Sequence, residues 1–344
     1  MINPLKKINM FKSNIAIRKR FVSDYNLPIP IVDDEDMFMY FLNLYEDDFH
    51  SLTLYGEMVE EINEKFGGNI DAFLDNYYSV RENIIQTIEN GSAFQAFNTM
   101  DMNQFSIKDK IQVSSNNIYN ANNNMDFFIS IDLKKANFQA LNKVDRNILL
   151  NSDTYEDFIH KFTDSQYIAN SKYFRQVVCG KMNPKRHITV EKYYTYQIYK
   201  KIIDNIPYLS DHCVSLCNDE IVFKYNDGYY NMEKCDFLRD KIEKIAKEIG
   251  FNVDVEFFQL KSYAIRSVRN GVEHSFYIKD FHCTDGKFKM FTLPMRYHAI
   301  AYKLYKQRKM DDMDYFFEDD GHIVKICDKF TLNKIETFTI NNHN

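Results

Sequence analysis

From residue 127 onward the apolar residues arrive in short runs, each closed by an acid or a turn residue, and the stretches between carry helical spacing. Phe127-Phe128-Ile129-Ser130-Ile131 stops at Asp132, and His212–Cys217 and Ile221–Tyr225 flank Asn218-Asp219-Glu220. Residues 251–258, 260–268, 272–279 and 287–293 are further runs of this kind. Runs so short and so bounded are buried strands. The pair around 218–220 reads as a hairpin with its acids at or near the turn. Asn270-Gly271 is the preferred signal for a two-residue hairpin. Residues 154–182, 188–205, 238–250 and the basic stretch 295–310 are helical in spacing, Gly250 ending the third. No repeat period is visible. The pattern predicts an α/β (α+β) fold, an antiparallel sheet with helices.

Upstream the texture is helical and acidic. Asp33-Asp34-Glu35-Asp36 stands where a first helical turn favours negative charge, ahead of MFMYFLNLY. Gly67-Gly68-Asn69 starts a second helix that stops near Asn90-Gly91. The polar stretch QVSSNNIYNANNNM (112–125) has no periodicity and reads as a loop or linker. Three regions are therefore expected. Residues 1–125 form an acidic, mainly helical N-terminal region that offers a surface to a protein partner. Residues 126–265 form the α/β core, and 266–344 a β-rich region with a basic helix.

Composition narrows the function classes. No stretch approaches the roughly 18–20 continuous apolar residues of a membrane-crossing helix. MINPLKKINMFKSNIAIRKR lacks the apolar core and small-residue cleavage site of a secretory leader. Six cysteines with no Cys-x2-Cys pair predict reduced, mostly buried thiols in a cytoplasmic setting. His212, Cys213 and Cys217 are close in sequence, but strand residues four apart lie roughly 13 Å apart, too far to share zinc. The 34 Asn, 24 Tyr and 29 Phe beside 10 Gly and no Trp reflect A+T-rich codons, pointing to a microbe or a virus. Neither a G-x-x-x-x-G-K-[ST] nor a G-x-G-x-x-G phosphate cradle is present, nor G-x-S-x-G or H-E-x-x-H.

The net charge of -6 hides a division. Residues 1–125 carry 10 basic against 18 acidic side chains, whereas 161–201 hold nine against two and 257–309 eleven against three. Both basic windows are rich in Tyr and Phe, a combination that suits a phosphate backbone with stacked bases. Solvated faces of amphipathic helices would give the same counts.

Two carboxylates stand out by position. Asp132 ends one strand and Asp219 sits at the tip of a hairpin of two others, with Glu220 beside it. If these strands are neighbours, the acids converge, and like charges converge at a cost unless a cation is shared. Mg²⁺ or Mn²⁺ with phosphate oxygens is the usual guest. Ordinary exposed turn acids are the competing reading.

The order of the segments resembles the palm region of template-directed nucleic-acid polymerases, over about residues 127–265. ISIDLKKANFQAL (129–141) resembles their first metal-binding motif. Reverse transcriptases carry Ala four and an aromatic five positions after its Asp; here Ala136 and Asn137 stand there, followed by Phe138. CVSLCNDEIVF (213–223) resembles the His-Asp-Glu motif of family-A DNA polymerases, with Asn218 where the His is. It also resembles the Asp-Asp hairpin of reverse transcriptases with the first Asp replaced. SKYFRQVVCGKMNPKRH (171–187) lies where polymerases place a nucleotide-gripping element, and DFLRDKIEKIAKEIGFNVDVEFFQLKSY (236–263) resembles the later helix–Gly–strand–Lys segment.

The resemblance implies a polymerase-like palm that adds nucleotides to a nucleic-acid 3′-hydroxyl with Mg²⁺ or Mn²⁺, its partners being nucleic acid and nucleoside triphosphates. Asp132 and Asp219 would be the metal ligands, with Glu220 as a third catalytic carboxylate. Lys172 and Arg175, one helical turn apart, would clamp the triphosphate, with Lys181, Lys185 and Arg186 following at the Cys179-Gly180 break. Asn137 replaces the ring that blocks a ribose 2′-hydroxyl, which implies tolerance of ribonucleotides. Lys261 aligns loosely with the palm's later lysine and reads better as a surface residue. The alternatives are a palm-like module that binds nucleic acid or protein without turnover, and an unrelated viral interaction protein.

Overall fold

Phe127–Leu133 becomes a central strand because apolar side chains cover both of its faces. The computed structural model describes residues 11–108, 113, 118–225, 232–281 and 286–335. Its strands are β1 (Phe127–Leu133), β2 (Cys213–Leu216), β3 (Glu220–Tyr225), β4 (Val253–Ser267), β5 (Glu273–Asp280), β6 (Phe288–Phe291), β7 (Phe316–Asp319), β8 (His322–Lys325) and β9 (Phe330–Lys334). The main sheet runs β2-β3-β1-β4-β5-β6, with β9 on β4, and each pairing is antiparallel. The helix Pro184–Asn205 lies between β1 and β2 in the chain, and Met232–Glu248 between β3 and β4. The result is a β-α-β-β-α-β unit with strand order 2-3-1-4. The expected α+β class and antiparallel sheet are both present.

Alternation along the strands sorts the two faces. Ile129, Ile131 and Leu133 of β1, Ile221 and Phe223 of β3, and Val253, Val255 and Phe257 of β4 pack with Ile198 and Ile202 of one helix and Ile242 and Ile245 of the other. On the opposite face Phe128, Val222, Phe258 and Leu260 pack with Ile118 and Phe281. Burial on both faces explains a departure from the sequence reading. Residues 251–258 and 260–268 are one continuous strand, β4, not two. Phe257 through Leu260 are all buried, so the run shows no alternation that would mark its register. Gln259 continues the ladder, and its carboxamide donates to Met125 O at 2.9 Å.

The expected two-residue turn at Asn270-Gly271 is instead a four-residue loop, 268–271. The last β4–β5 pair is Arg266 opposite Glu273, and Ser267 N donates to Val272 O at 2.9 Å. Asn270 serves the loop through its side chain, accepting from Val272 N at 3.0 Å, while Gly271 takes the left-handed φ of 70°. The basic stretch 295–310 is shorter as a helix than expected: a 3-10 turn, Met295–Tyr297, leads into His298–Tyr305. Residues 154–182 form three short helices, Tyr155–Ile159, Gln166–Asn170 and Lys172–Lys181. Gly250, at φ 85°, follows the helix Met232–Glu248 as expected.

Within the Asn-rich stretch, 112 and 114–117 lie outside the described residues. Asn124 is no free linker residue. β1 and β9 pair with successive parts of the same edge of β4, leaving a gap between them. Asn124 fills it. Its side-chain oxygen accepts from Ser262 N at 2.8 Å, its amide donates to Ile335 O at 2.6 Å, and Met125 N donates to Leu260 O at 2.7 Å. An amide side chain replaces a strand peptide here.

The described residues gather into two compact units, one within Met102–Gln139, Ile188–Met310 and Cys327–Asn344, the other within Met1–Asp101, Ala140–His187 and Asp311–Ile326. The sheet belongs to the first. The expected divisions after residues 125 and 265 are cuts along the sequence, whereas each unit is assembled from three separate segments. In the second, Asp34 and Asn69 cap the helices Glu35–Leu44 and Ile70–Glu89, as their sequence signals require. Its hub is Asp24, fully buried, which accepts from Tyr77 at 2.8 Å, Tyr167 at 2.6 Å, Ser171 at 2.8 Å and Arg20 at 3.0 Å. β7 and β8 join through Asp320-Gly321, both at positive φ, the two-residue hairpin signature.

Among the described residues no helix is long and apolar enough to cross a membrane. Cys179, Cys213 and Cys235 are buried, Cys217 half-buried and Cys327 exposed. Burial pushes the Cys213 thiol up to about 12.

Asn124→Ala leaves the Ser262 N–H buried without its acceptor and should cost about 1–3 kcal/mol. Urea unfolding measures this, and a loss within about 0.3 kcal/mol of zero, ordinary for a surface change, would show that the gap closes without the amide.

Candidate functional site

Antiparallel register brings acids into rows across the three central strands. Asp132 of β1 lies directly opposite Glu220 of β3 and, on its other side, Asp254 of β4. In the next row on the same face Ser130 lies between Val222 and Glu256. Asp219, in the β2–β3 turn, is tied to the end of β1 by its carbonyl, which accepts from Leu133 N at 2.9 Å. Like charges placed directly opposite one another in a sheet destabilise it, so each acid needs an answer.

Most have one. Lys279 Nζ lies 3.2 Å from Glu220 Oε1, and the Ser130 hydroxyl donates to the same oxygen at 2.5 Å. Lys134 pairs with Asp254 at 2.8 Å and Lys289 with Glu256 at 3.3 Å. Asp132 has neither an ion pair nor a hydrogen bond to its carboxylate among the described residues. Its carboxyl is pushed up to about 7, first by loss of solvation and then by Asp219, Glu220, Asp254 and Glu256. Because Asp132 is open to solvent on its strand, water moderates the desolvation, and the four neighbouring charges are the firmer cause.

A second displaced carboxyl stands behind the hairpin. Glu191, on the helix Pro184–Asn205, is buried, and burial together with the Asp219 charge pushes it up to about 7. One helical turn further on, Thr195 Oγ1 donates to Asn218 O at 2.7 Å, tying this helix to the turn that carries Asp219.

The candidate residues fall into two groups. Asp132, Asp219, Glu220 and Asn137 belong to the sheet unit, and the first three are brought together. Asn137 is the second residue of the helix Ala136–Val144, after a turn in which Lys135 adopts a left-handed φ of 51°. It therefore lies inside the first helical turn and is not the residue that caps it. Lys172, Arg175, Lys181, Lys185 and Arg186 belong to the other unit. There Arg186 is committed to structure, donating to Phe97 O at 3.1 Å and Met100 O at 2.7 Å at the end of the helix Ser92–Thr99. Lys181 faces Glu82 at 3.6 Å. Lys172 is exposed, and the Arg175 guanidinium lies 5.6 Å from the centre of the Tyr155 ring. Lys261 pairs with Asp280, which also accepts from the Tyr305 hydroxyl at 3.3 Å.

Asp254, Glu256, Glu191 and Lys279 were missed by the sequence reading. The first two had a signal, the alternation Val253-Asp254-Val255-Glu256, which puts both acids on the face opposite Val253 and Val255. Glu191 and Lys279 had none, since their placement depends on which elements pack together.

Among the described residues no three His, Cys, Asp or Glu side chains form a ready metal cage. Mg²⁺ commonly binds through one or two carboxylates together with substrate phosphates and water, and needs no such cage. No known family model and no curated protein matches the chain.

Asp132 and Glu191 keep a proton in the folded chain at pH values where an ordinary carboxylate has lost it. Folding therefore takes up protons between about pH 4 and pH 7, and stability falls as the pH rises through that window. Asp132→Asn should raise the Tm near pH 8 and leave it unchanged near pH 4. Equal effects at both pH values would mean that the Asp132 charge is not opposed in the folded state.

Proposed function

We propose that the chain is a metal-dependent nucleotidyltransferase with a polymerase-like palm, extending a nucleic-acid 3′-hydroxyl from nucleoside triphosphates. The observation that carries the reading is the convergence of Asp132 and Asp219 at one end of the β1–β3 pair, with Asp132 unneutralised. The β-α-β-β-α-β order of the unit, with the first acid on its first strand and the second in its hairpin, supports it. A Mg²⁺ or Mn²⁺ ion held there would lower the pKa of the attacking hydroxyl and neutralise phosphate charge. Asp132 and Asp219 would hold the ion. Glu220, engaged by Ser130 and Lys279, keeps the end of β3 in register with β1. Thr195, through Asn218, fixes the turn from which Asp219 projects. By the resemblance, Asn137 takes the place of a bulkier side chain that would exclude a 2′-hydroxyl.

One observation favours a second reading, a palm-like module that binds nucleic acid without turnover. The turn position next to Asp219 is Asn218, an uncharged amide where the Asp-Asp hairpin that it resembles has a second acid. The basic windows would serve such a module equally well, and its affinity would fall steeply with salt as counterions are released.

Asp132→Asn and Asp219→Asn should each abolish Mg²⁺-dependent incorporation of nucleotides into a primed strand without unfolding the chain, and Glu220→Gln should be milder. Full activity in the Asp219 variant would remove the hairpin from the site. Salt-dependent binding with no incorporation by the unaltered chain would favour the module. In an active chain, Asn137→Tyr should shift incorporation from ribonucleotides toward deoxyribonucleotides. Parallel assays with both nucleotide sets read the ratio, and an unchanged ratio would detach Asn137 from the sugar.

A further inference from the structure

Three lysines answer the acids of the sheet face, and they differ in how firmly they are held. Lys134 and Lys289 keep side-chain exposures of 48% and 54%, whereas that of Lys279 is 7%. An exposed ion pair is worth little and yields readily to a competing cation. Lys279 is held in another way. It rises from β5 with its ammonium 4.6 Å from the centre of the Phe258 ring and 5.3 Å from that of Phe291. Both rings attract the cation and leave its stem little freedom. A buried ammonium must be matched by an opposite charge, and that charge is Glu220, at 3.2 Å. The Glu220 oxygen that meets Lys279 is the one that also accepts from Ser130. Its position is thus set from two sides.

Resting on the reading of Asp132 and Asp219 as the cation-binding pair, we propose that Lys279 stands in for a second cation. Its ammonium supplies the charge that a second divalent ion would otherwise bring to Glu220, so the carboxylate row takes one divalent ion instead of two. Asp132, the acid left without a cation, is the open place. Glu220 is then a positioning residue, spoken for by a cation that cannot leave.

Titration of the full chain with Mn²⁺ alone, following free Mn²⁺ by its electron paramagnetic resonance signal, tests this. The wild-type chain should bind one ion, and Asp132→Asn should lose it. Lys279→Met, close in volume and at home between two rings, should bind two, and the double variant Lys279→Met, Glu220→Gln should return to one. Lys279→Gln is carried in parallel to keep a polar head at the site, with the same gain expected, and circular dichroism establishes that each variant is folded. One bound ion with unchanged affinity in a folded Lys279 variant overturns the role of Lys279 while leaving the Asp132–Asp219 pair intact. Mn²⁺ binding that survives Asp132→Asn overturns the pair itself, and with it the inference.

Discussion

The row Glu220–Asp132–Asp254 runs straight across the three central strands, and the rest of the sheet face is arranged around its mutual repulsion. Antiparallel register fixes the three acids opposite one another, and a one-residue slip would carry the apolar set of β1 to the wrong face. The two-sided core therefore dictates the proximity of the charges. Lysines relieve the flanking members, and the middle one is left with its proton held near neutrality. Hydrophobic burial thus maintains an electrostatic tension that a strand with no buried face would relax by slipping.

Much of this was legible in the sequence. The apolar run ending at Asp132 and the hairpin around Asn218-Asp219-Glu220 were visible because strand periodicity and turn residues are local signals. The helix starts at Asp33-Asp34-Glu35-Asp36 and at Asn69 were visible for the same reason. β4 was misread as two strands because Phe257 through Leu260 are covered from both sides, which erases alternation. The Asn270-Gly271 turn was misread because Asn270 bonds the backbone of a longer loop that the dipeptide alone does not specify.

The invisible parts share one property: they depend on tertiary neighbours. Asn124 lies in a stretch whose composition reads as linker, yet it completes the edge of β4 through its carboxamide. Asp24 carries no signal in the sequence, yet three hydroxyls and a guanidinium converge on it. Lys279 reads as one more cation in a basic window, and only the packing of β5 against Phe258 and Phe291 reveals that its charge is committed. Arg186 is the reverse case. It reads as a free phosphate-binding cation, but backbone carbonyls take up one of its guanidinium nitrogens.

The unbroken course of β4 has a geometric consequence. At roughly 3.3 Å per residue, fifteen residues keep Asp254 and Ser267 at a nearly constant separation of about 43 Å along one strand. β1 holds the first part of its edge and β9 the last, with Asn124 locking the interval between them. The sheet unit has no hinge along this line. It behaves as a ruler, setting the distance between the carboxylate row and Arg266 at the far end.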